Sequence, residues 1–401
     1  MRALSCELIS TFGTQGYGRE VPMETENGSI DGIVNHDPIG NFIRYRLRLS
    51  PFVFGLIVFL LDVVVDGIMC HHWGLFVSKS STPGLLQDYM ALTTDFLFNP
   101  VVCGLYLWLP RGATQMFQRL RQSEVFTFDD GDRRSDPVLA TLDRFRSTYS
   151  WRPVFWVSVA AMLLYGNSQI LEYFHLVPWK TVGGYIDLEP RMALFRAPFW
   201  YMTIHATVFI GFNTITTIRG LRHLFSQADV RITPLHLDRC GGLAAISNFT
   251  ATMGYALGAI GLLLSAATLS NLEHGAISEA YPLFLGIALY VALAPCFFFL
   301  PLSTAHGVMR DSKERELQMT AKLFREAYSE VTSGKGKDDP NPCPKLTRIH
   351  ELERLYGLVL RFSVWPFDMR SLPGFLIRVA GPIVPALISI GEALVKSKLT
   401  P

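Results

Sequence analysis

The sequence predicts an all-α integral membrane protein with six transmembrane helices, and three observations lead to this prediction. Of its 401 residues, 49% are hydrophobic and only 17% are charged, whereas roughly 25% of an ordinary soluble domain is charged. The apolar residues form long blocks, and a hydrocarbon layer about 30 Å thick requires about 20 such residues in one helix. The net charge of +2 gives no basic signature of a nucleic-acid partner. The lipid bilayer is the expected partner.

Six apolar blocks are long enough to cross a bilayer as helices. They are Pro51 to Cys70, Tyr89 to Pro110, Trp151 to Phe174, Phe195 to Thr217, Gly241 to Leu269 and Tyr281 to Met309. The preceding segment, residues 1–50, is polar and lacks the basic start and apolar centre of a signal peptide. We expect it to be retained as a polar segment, and the membrane domain to cover residues 51–309.

The positions of lysine and arginine predict the orientation of the helices, because positively charged loops stay in the cytoplasm. Arginines cluster before the first span and in the connections after the second and fourth spans. The other three connections together contain only Lys79, Lys180 and Arg191. Both termini are therefore expected in the cytoplasm, which is an N-in/C-in topology.

The fifth span is expected to be the packing hub of the membrane domain. Gly254 and Gly258 lie four residues apart and form a small-xxx-small pair. Such a pair allows the backbone of another helix to approach closely. The partner helix could belong to this chain or to a second copy. A homo-oligomer is therefore one of the alternatives.

Residues 310–370 are predicted to form a cytoplasmic helical hairpin. Its first helix, Arg310 to Thr332, is polar apart from a stripe at helical spacing. The stripe consists of Leu317, Ala321, Phe324, Tyr328 and Val331. We expect this stripe to pack on a second helix, Leu346 to Phe362, which is reached through a loop rich in glycine and proline.

The tail, residues 371–401, is largely apolar. We predict that it forms a membrane-associated helix, either interfacial or re-entrant. A seventh span is the alternative. It is less favoured because it would place Lys396 and Lys398 outside the cell, against the charge rule.

Acidic residues within the first span are the most informative polar feature. Asp62 and Asp66 are four residues apart and so share one helical face. Each costs roughly 2.5 to 3.5 kcal/mol at the centre of a bilayer, so such residues usually face other helices and have a functional role. The alternative is that both are hydrated near the outer surface or cap a neighbouring helix.

Other polar residues are expected at similar depths. With a rise of about 1.5 Å per residue, Asp62, Asp66, Asp95 and Asn99 all fall within about 15 Å of the outer boundary. The candidates for an ion pathway are Asp62, Asp66, Asp95, Asn99, Glu172, Arg196 and His205. We expect the three aspartates to line a path for a small cation or a proton, with His205 as a relay.

Metal-centre and enzyme functions are less favoured. Metal ligands could come from Asp66, His71, His72, Glu172 and His175, but no pair of these has the spacing of a known zinc or iron motif. The sequence also has no nucleophile elbow, P-loop or zincin pair. We therefore predict no metal, no cofactor and no catalytic residue.

Two polar motifs flank membrane segments on the predicted cytoplasmic side. The first comprises His236, Asp238, Arg239, Gly241 and Gly242 before the fifth span, and the second contains Asp368 and Arg370 before the tail. In the first motif, an aspartate can cap the helix and the glycines allow a close backbone approach. An anion site at the helix start is the alternative.

These two motifs carry a family resemblance. The chain resembles multi-pass bacterial membrane proteins that have His-Pro-Asp-Arg-x-Gly-Gly-Leu before a span and Pro-Phe-Asp-x-Arg-x-Leu near the carboxyl end. Leu237 stands where that family usually has proline. The resemblance covers residues 215–390. It implies a bacterial inner-membrane location, but no substrate and no reaction.

Three classes of function follow from these features. A channel or transporter-like conduit for a small cation or proton agrees best with the buried aspartates. A membrane-anchored sensor or scaffold that acts through the cytoplasmic helices, with an unknown protein partner, is the main alternative. A membrane-embedded enzyme is the third, and the missing catalytic motifs make it the least favoured.

Overall fold

The computed structural model describes most of the chain from residue 37 to residue 390. The described residues are 37–77, 84–123, 125–126, 138–141, 151–167, 170–171, 174, 191–227, 230, 240–273, 281–332, 343–362, 364–365 and 372–390. Among them every regular element is a helix, and one isolated β-bridge joins Phe126 to Val230.

The helices follow one another along the chain with short irregular turns inside several of them. They are α1 (Pro38–Asn41), α2 (Pro51–Trp73), α3 (Tyr89–Gln122), α4 (Trp151–Ala161), α5 (Met192–Gln227), α6 (Ala244–Glu273), α7 (Tyr281–Thr332), α8 (Cys343–Arg361) and α9 (Leu372–Ala380). π-helical turns follow α1 and α4 and interrupt α3, and a 3₁₀ turn follows α9. Ser50 caps α2 through its hydroxyl, and Gly74 ends that helix in the left-handed conformation.

Four helical stretches are long and apolar enough to cross a membrane, which indicates a helical membrane protein. These stretches are Pro51–Trp73, Tyr89–Gln122, Ala244–Leu269 and Leu285–Thr332. Helices also lie at the other two predicted spans, as α4 and α5. The count of six spans therefore stays a prediction, while the all-helical fold of the described residues is established.

The predicted sixth span and the first helix of the hairpin are one helix of 52 residues, α7. Pro295 and Pro301 lie within it. α8 packs against α7, as predicted for the hairpin. The predicted stripe is only partly covered, because Tyr328 and Val331 are exposed whereas the neighbouring Ala327 is buried.

α6 is a packing hub, as predicted. It contacts α3, α7 and α9, and Gly254 and Gly258 are both buried. A further close approach lies one turn further on. A Cβ atom at Gly261 would stand 2.8 Å from Tyr290 Oη of α7, so a side chain there would displace the tyrosine ring.

The tail packs along α6 and α7. Tyr290 Oη lies 2.9 Å from Leu257 O of α6 and 2.7 Å from Val379 O of the tail. Ser265 Oγ of α6 donates a hydrogen bond to Pro382 O. These hydroxyls contact backbone carbonyls where Gly381 and Pro382 interrupt the regular α-helix. Neighbouring side chains are the usual means of stabilising such a break in a membrane helix.

Candidate functional site

α2 presents one buried stripe, and its two aspartates belong to that stripe. Phe54, Val58, Asp62, Asp66 and Cys70 are spaced four residues apart, and all are buried. The other faces of the helix carry exposed leucine and valine side chains. Because the two carboxylates lie on the packed stripe, they face neighbouring helices rather than lipid.

Asn99 of α3 approaches the Asp62 carboxylate, and Asp95 precedes it by one turn of the same helix. The exposed fractions of Asp95 and Asn99 are 0% and 1%. Asp95 lies within the π-helical turn Thr94–Phe98, and Asn99 follows that turn directly. Turns of this kind are frequent at functional sites because they change which side chains face the interior of a helical bundle.

Arg196, near the start of α5, is the cation of the site. It forms an ion pair with Asp95, and both side chains are almost fully buried. It also interacts electrostatically with Asp62. We refer to Asp62, Asp66, Asp95, Asn99 and Arg196 as the Asp–Arg cluster.

Hydrogen bonds connect the three helices of this cluster. Asn99 Nδ2 lies 3.4 Å from Asp62 Oδ2 and donates toward it. Thr203 Oγ1 of α5 donates to Asn99 Oδ1 at 2.8 Å. The Asn99 amide therefore links a carboxylate on α2 to a hydroxyl on α5.

The charges of the Asp–Arg cluster do not balance when all its groups are ionised. Asp62, Asp66 and Asp95 contribute −3 and Arg196 contributes +1, which leaves −2. Charge held away from water is costly, so protonation of these carboxylates would lower the cost of burying them. Among the described residues, no group of three or more His, Cys, Asp or Glu side chains has an arrangement that could hold a metal ion.

His205 lies apart from the Asp–Arg cluster, in a second polar site. Its Nδ1 atom is 3.0 Å from Ser158 Oγ of α4. Its Nε2 atom is 3.3 Å from Tyr106 Oη of α3 and 3.4 Å from Asp37 Oδ2. We refer to His205, Ser158, Tyr106 and Asp37 as the His205 site.

The structure brings together five of the seven predicted ion-pathway residues and places His205 in the second site. Glu172 lies outside the described residues. Sequence patterns do not predict Asp37, Tyr106 and Ser158 as site residues. Asp37 precedes Pro38, a pattern typical of a helix start, and its side chain does cap Ile39 N. That pattern does not predict that Asp37 contacts His205.

Of the two predicted cytoplasmic motifs, the glycines of the first lie within the described residues. His236, Asp238, Arg239, Asp368 and Arg370 lie outside the described residues.

Both glycines of the first motif have positive φ, +64° for Gly241 and +89° for Gly242. A Cβ atom at Gly242 would overlap Val125 Cγ2. Close packing against the residues that follow α3 therefore accounts for this glycine without a ligand.

Comparisons of the chain with protein-family models, curated proteins and solved structures find no match. The class of protein is therefore defined by the fold and the site. The chain is a helical protein with several helices suited to a membrane, and it has a buried ionic cluster between three of its helices.

Proposed function

We propose that this protein is a transporter-like conduit for protons or a small cation, with the Asp–Arg cluster as its binding centre. The observation that carries the proposal is the convergence of three buried carboxylates with one guanidinium. Its three carboxylates provide several positions at which a proton can bind. Charged groups placed in this way commonly mark ion and proton pathways.

The burial of the cluster favours a transporter over an open channel. Its members are at most 3% exposed, so a bound proton or cation would be closed off from water on both sides. A site closed in this way exchanges its ion when helices move. An open channel instead needs a continuous aqueous path.

The proposal includes a membrane topology. It has six spans up to residue 309, with the amino terminus and the arginine-rich connections in the cytoplasm, which agrees with the charge rule. The family resemblance supports the bacterial inner membrane as the location. In this orientation Asp66 lies closer to the outer side of α2 than Asp62 does.

Flux through purified protein in liposomes tests the proposed function. A potassium gradient with valinomycin sets the membrane voltage, and a trapped pH dye reports proton entry. Sodium and potassium dyes replace the pH dye in parallel samples that contain no valinomycin. The parent protein should conduct, and Asp95→Asn should lower the flux on the order of tenfold or more, because a buried carboxylate that is ion-paired with Arg196 is lost.

The exposed Asp311 of α7 provides a matched control. Asp311→Asn removes the same charge outside the cluster and should leave the flux unchanged. Absence of flux in the parent protein for all three ions, or full flux in Asp95→Asn, would contradict the proposed function.

A sensor or scaffold function is the second candidate, and the hairpin favours it. Leu323 of α7 and Leu355 and Leu358 of α8 are each more than 40% exposed. A cysteine at position 323 should then react with a polar maleimide in purified protein and be protected in native membranes. Glu326→Cys, on an exposed neighbouring position, should react in both. Equal labelling of position 323 in both preparations would count against a bound partner.

A further inference from the structure

The His205 site is built from four parts of the chain. His205 is fully buried on α5, Ser158 comes from α4, Tyr106 from α3, and Asp37 from the segment before α2. The imidazole also packs against Phe209, with ring centroids 4.6 Å apart. Asp37 is the most exposed of the four, with 13% of its side chain accessible.

Ser158 Oγ lies 2.7 Å from Phe155 O and 3.0 Å from His205 Nδ1. A carbonyl oxygen only accepts, and a hydroxyl has one hydrogen to donate. Both contacts are hydrogen bonds when the hydroxyl donates to Phe155 O and accepts from a hydrogen on Nδ1. We assign this tautomer to the neutral ring.

The Nε2 atom is then the position at which a proton is gained or lost. In the neutral ring, Nε2 has a lone pair and accepts a hydrogen bond from Tyr106 Oη. When a proton binds to Nε2, the imidazolium can donate to Asp37 Oδ2, 3.4 Å away. The carboxylate then balances the new positive charge. The Nε2 atom therefore has a hydrogen-bond partner in both protonation states of the imidazole.

This site lies next to the Asp–Arg cluster along the helices. Tyr106 follows Asn99 by two turns of α3, about 10 Å along the axis and on the same face. Thr203, which donates to Asn99, precedes His205 by two residues of α5.

The position of the site along α2 is also defined. A Cβ atom at Gly104 of α3 would stand 3.3 Å from Pro51 O, at the start of α2. Tyr106 follows Gly104 by two residues. The His205 site therefore lies near the first residue of α2, which is the cytoplasmic end in the proposed topology.

We infer that His205, Asp37 and Tyr106 form a second proton-binding site, through which protons pass between the Asp–Arg cluster and the cytoplasm. This inference rests on the proposed function. A proton arriving from the cluster binds His205 Nε2, moves to the Asp37 carboxylate and leaves from Asp37 to water. The neutral imidazole is thereby restored, so each cycle moves one proton and consumes no other reactant.

The liposome assay tests this inference with Asp37→Asn, His205→Gln and Tyr106→Phe. Asparagine can still cap Ile39 N in place of Asp37, so Asp37→Asn removes the charge but keeps the helix start. Asp37→Asn and His205→Gln should lower proton flux by about ten- to a hundredfold, and Tyr106→Phe should lower it less. Thr207→Val is the control, because Thr207 is exposed on α5 and its hydroxyl donates to the backbone of its own helix.

Nitrogen NMR of histidine-labelled protein in liposomes gives a readout that is independent of flux. The His205 signal, assigned by its loss in His205→Gln, should show a neutral ring with the hydrogen on Nδ1. A neutral ring with its hydrogen on Nε2 would overturn the inference.

The two proposals can fail separately. If Asp95→Asn abolishes flux while Asp37→Asn and His205→Gln conduct fully, the inference is wrong and the proposed function stands. If the parent protein conducts no protons, the relay is overturned. If it conducts no ion at all, the proposed function is overturned with it.

Discussion

Arg196 is the single residue on which the buried charges depend most. It pairs with Asp95 and also interacts with Asp62. A buried ion pair is weak evidence of net stabilisation, because desolvation offsets much of the attraction. Removal of one partner is different, since it leaves the other charge buried and uncompensated.

Arg196→Leu should therefore lower the free energy of unfolding by about 3–5 kcal/mol. The double variant Arg196→Leu with Asp95→Leu should recover part of this loss, because the uncompensated carboxylate is removed as well. Unfolding in mixed micelles measures the free energy of unfolding of the single and the double variant. Arg354→Leu, at an exposed position of α8, controls for loss of an arginine. Strictly additive effects of the two cluster substitutions would show that the pair does not couple.

Gly242 supports a second prediction for a single residue. Its φ of +89° and the overlap that a Cβ atom there would have with Val125 Cγ2 both exclude a side chain. Gly242→Ala should cost about 1–3 kcal/mol of stability. Gly211→Ala, within α5 and with open space at its Cβ position, should instead be neutral or stabilise by up to about 1 kcal/mol. Thermal unfolding in detergent compares the two, and equal effects would contradict the packing argument.

At the scale of elements, α8 is attached to α7 by polar contacts at its carboxyl end. Lys313 Nζ donates to Leu360 O at 2.7 Å and to Phe362 O at 2.9 Å. Just beyond, His306 Nδ1 donates to Val364 O at 2.7 Å. The last carbonyls of a helix have no partner within the helix, so these side chains fix where α8 ends.

Lys313→Met should loosen the carboxyl end of α8. We expect a loss of about 0.5–1.5 kcal/mol, the usual net contribution of one hydrogen bond, confined to the hairpin. Amide hydrogen exchange should accelerate at residues 355–362 and stay unchanged in α2. Lys322→Met, at an exposed position of the same helix, should leave exchange as in the parent protein. Uniform acceleration over the whole chain would contradict a local role.

Sequence periodicity predicts some elements well and others not at all. The four-residue spacing of Asp62 and Asp66 predicts a shared face, and both do lie on the buried stripe of α2. Apolar length predicts the helices themselves. The π-helical turn in α3 changes the register around Asp95, and no composition signal marks such a turn.

At the scale of the whole molecule, long-range contacts explain what the sequence could not predict. Asp37 and His205 are 168 residues apart, and Asp37 lies in a polar segment that hydropathy assigns to water. Its place against α3 and α5 depends on how the helices pack. The convergence of Asp62, Asp95 and Arg196 depends on the same packing, although their matching depths suggest it.

The tail, residues 372–390, changes the expected position of the carboxyl terminus. Trp365 stacks on His306 with ring centroids 4.1 Å apart, and Val379 contacts Tyr290. Along α7, Tyr290 is sixteen residues from His306, about 24 Å. Residue 379 therefore lies about 24 Å closer to the start of α7 than residue 365 does.

The direction of the tail does not reverse beyond this point. Ala380 and Val384, on either side of the 3₁₀ turn, both have right-handed helical φ and ψ. The helix that continues to residue 390 adds about 10 Å, so the total exceeds the roughly 30 Å of a hydrocarbon layer. We therefore expect the tail to be a seventh membrane segment, with the carboxyl terminus on the side opposite the hairpin and not in the cytoplasm.

A protease-cleavable tag placed after Pro401 tests this orientation. In right-side-out vesicles it should be cut by added protease, because the tail carries it to the outer side. The same tag inserted in the loop between α7 and α8 should be protected until the vesicles are opened. Protection of both tags would favour a re-entrant tail, with Lys396 and Lys398 in the cytoplasm as the charge rule alone predicts. Cleavage of the loop tag alone would reverse the whole topology, and would place the His205 site at the outer end of the proposed pathway.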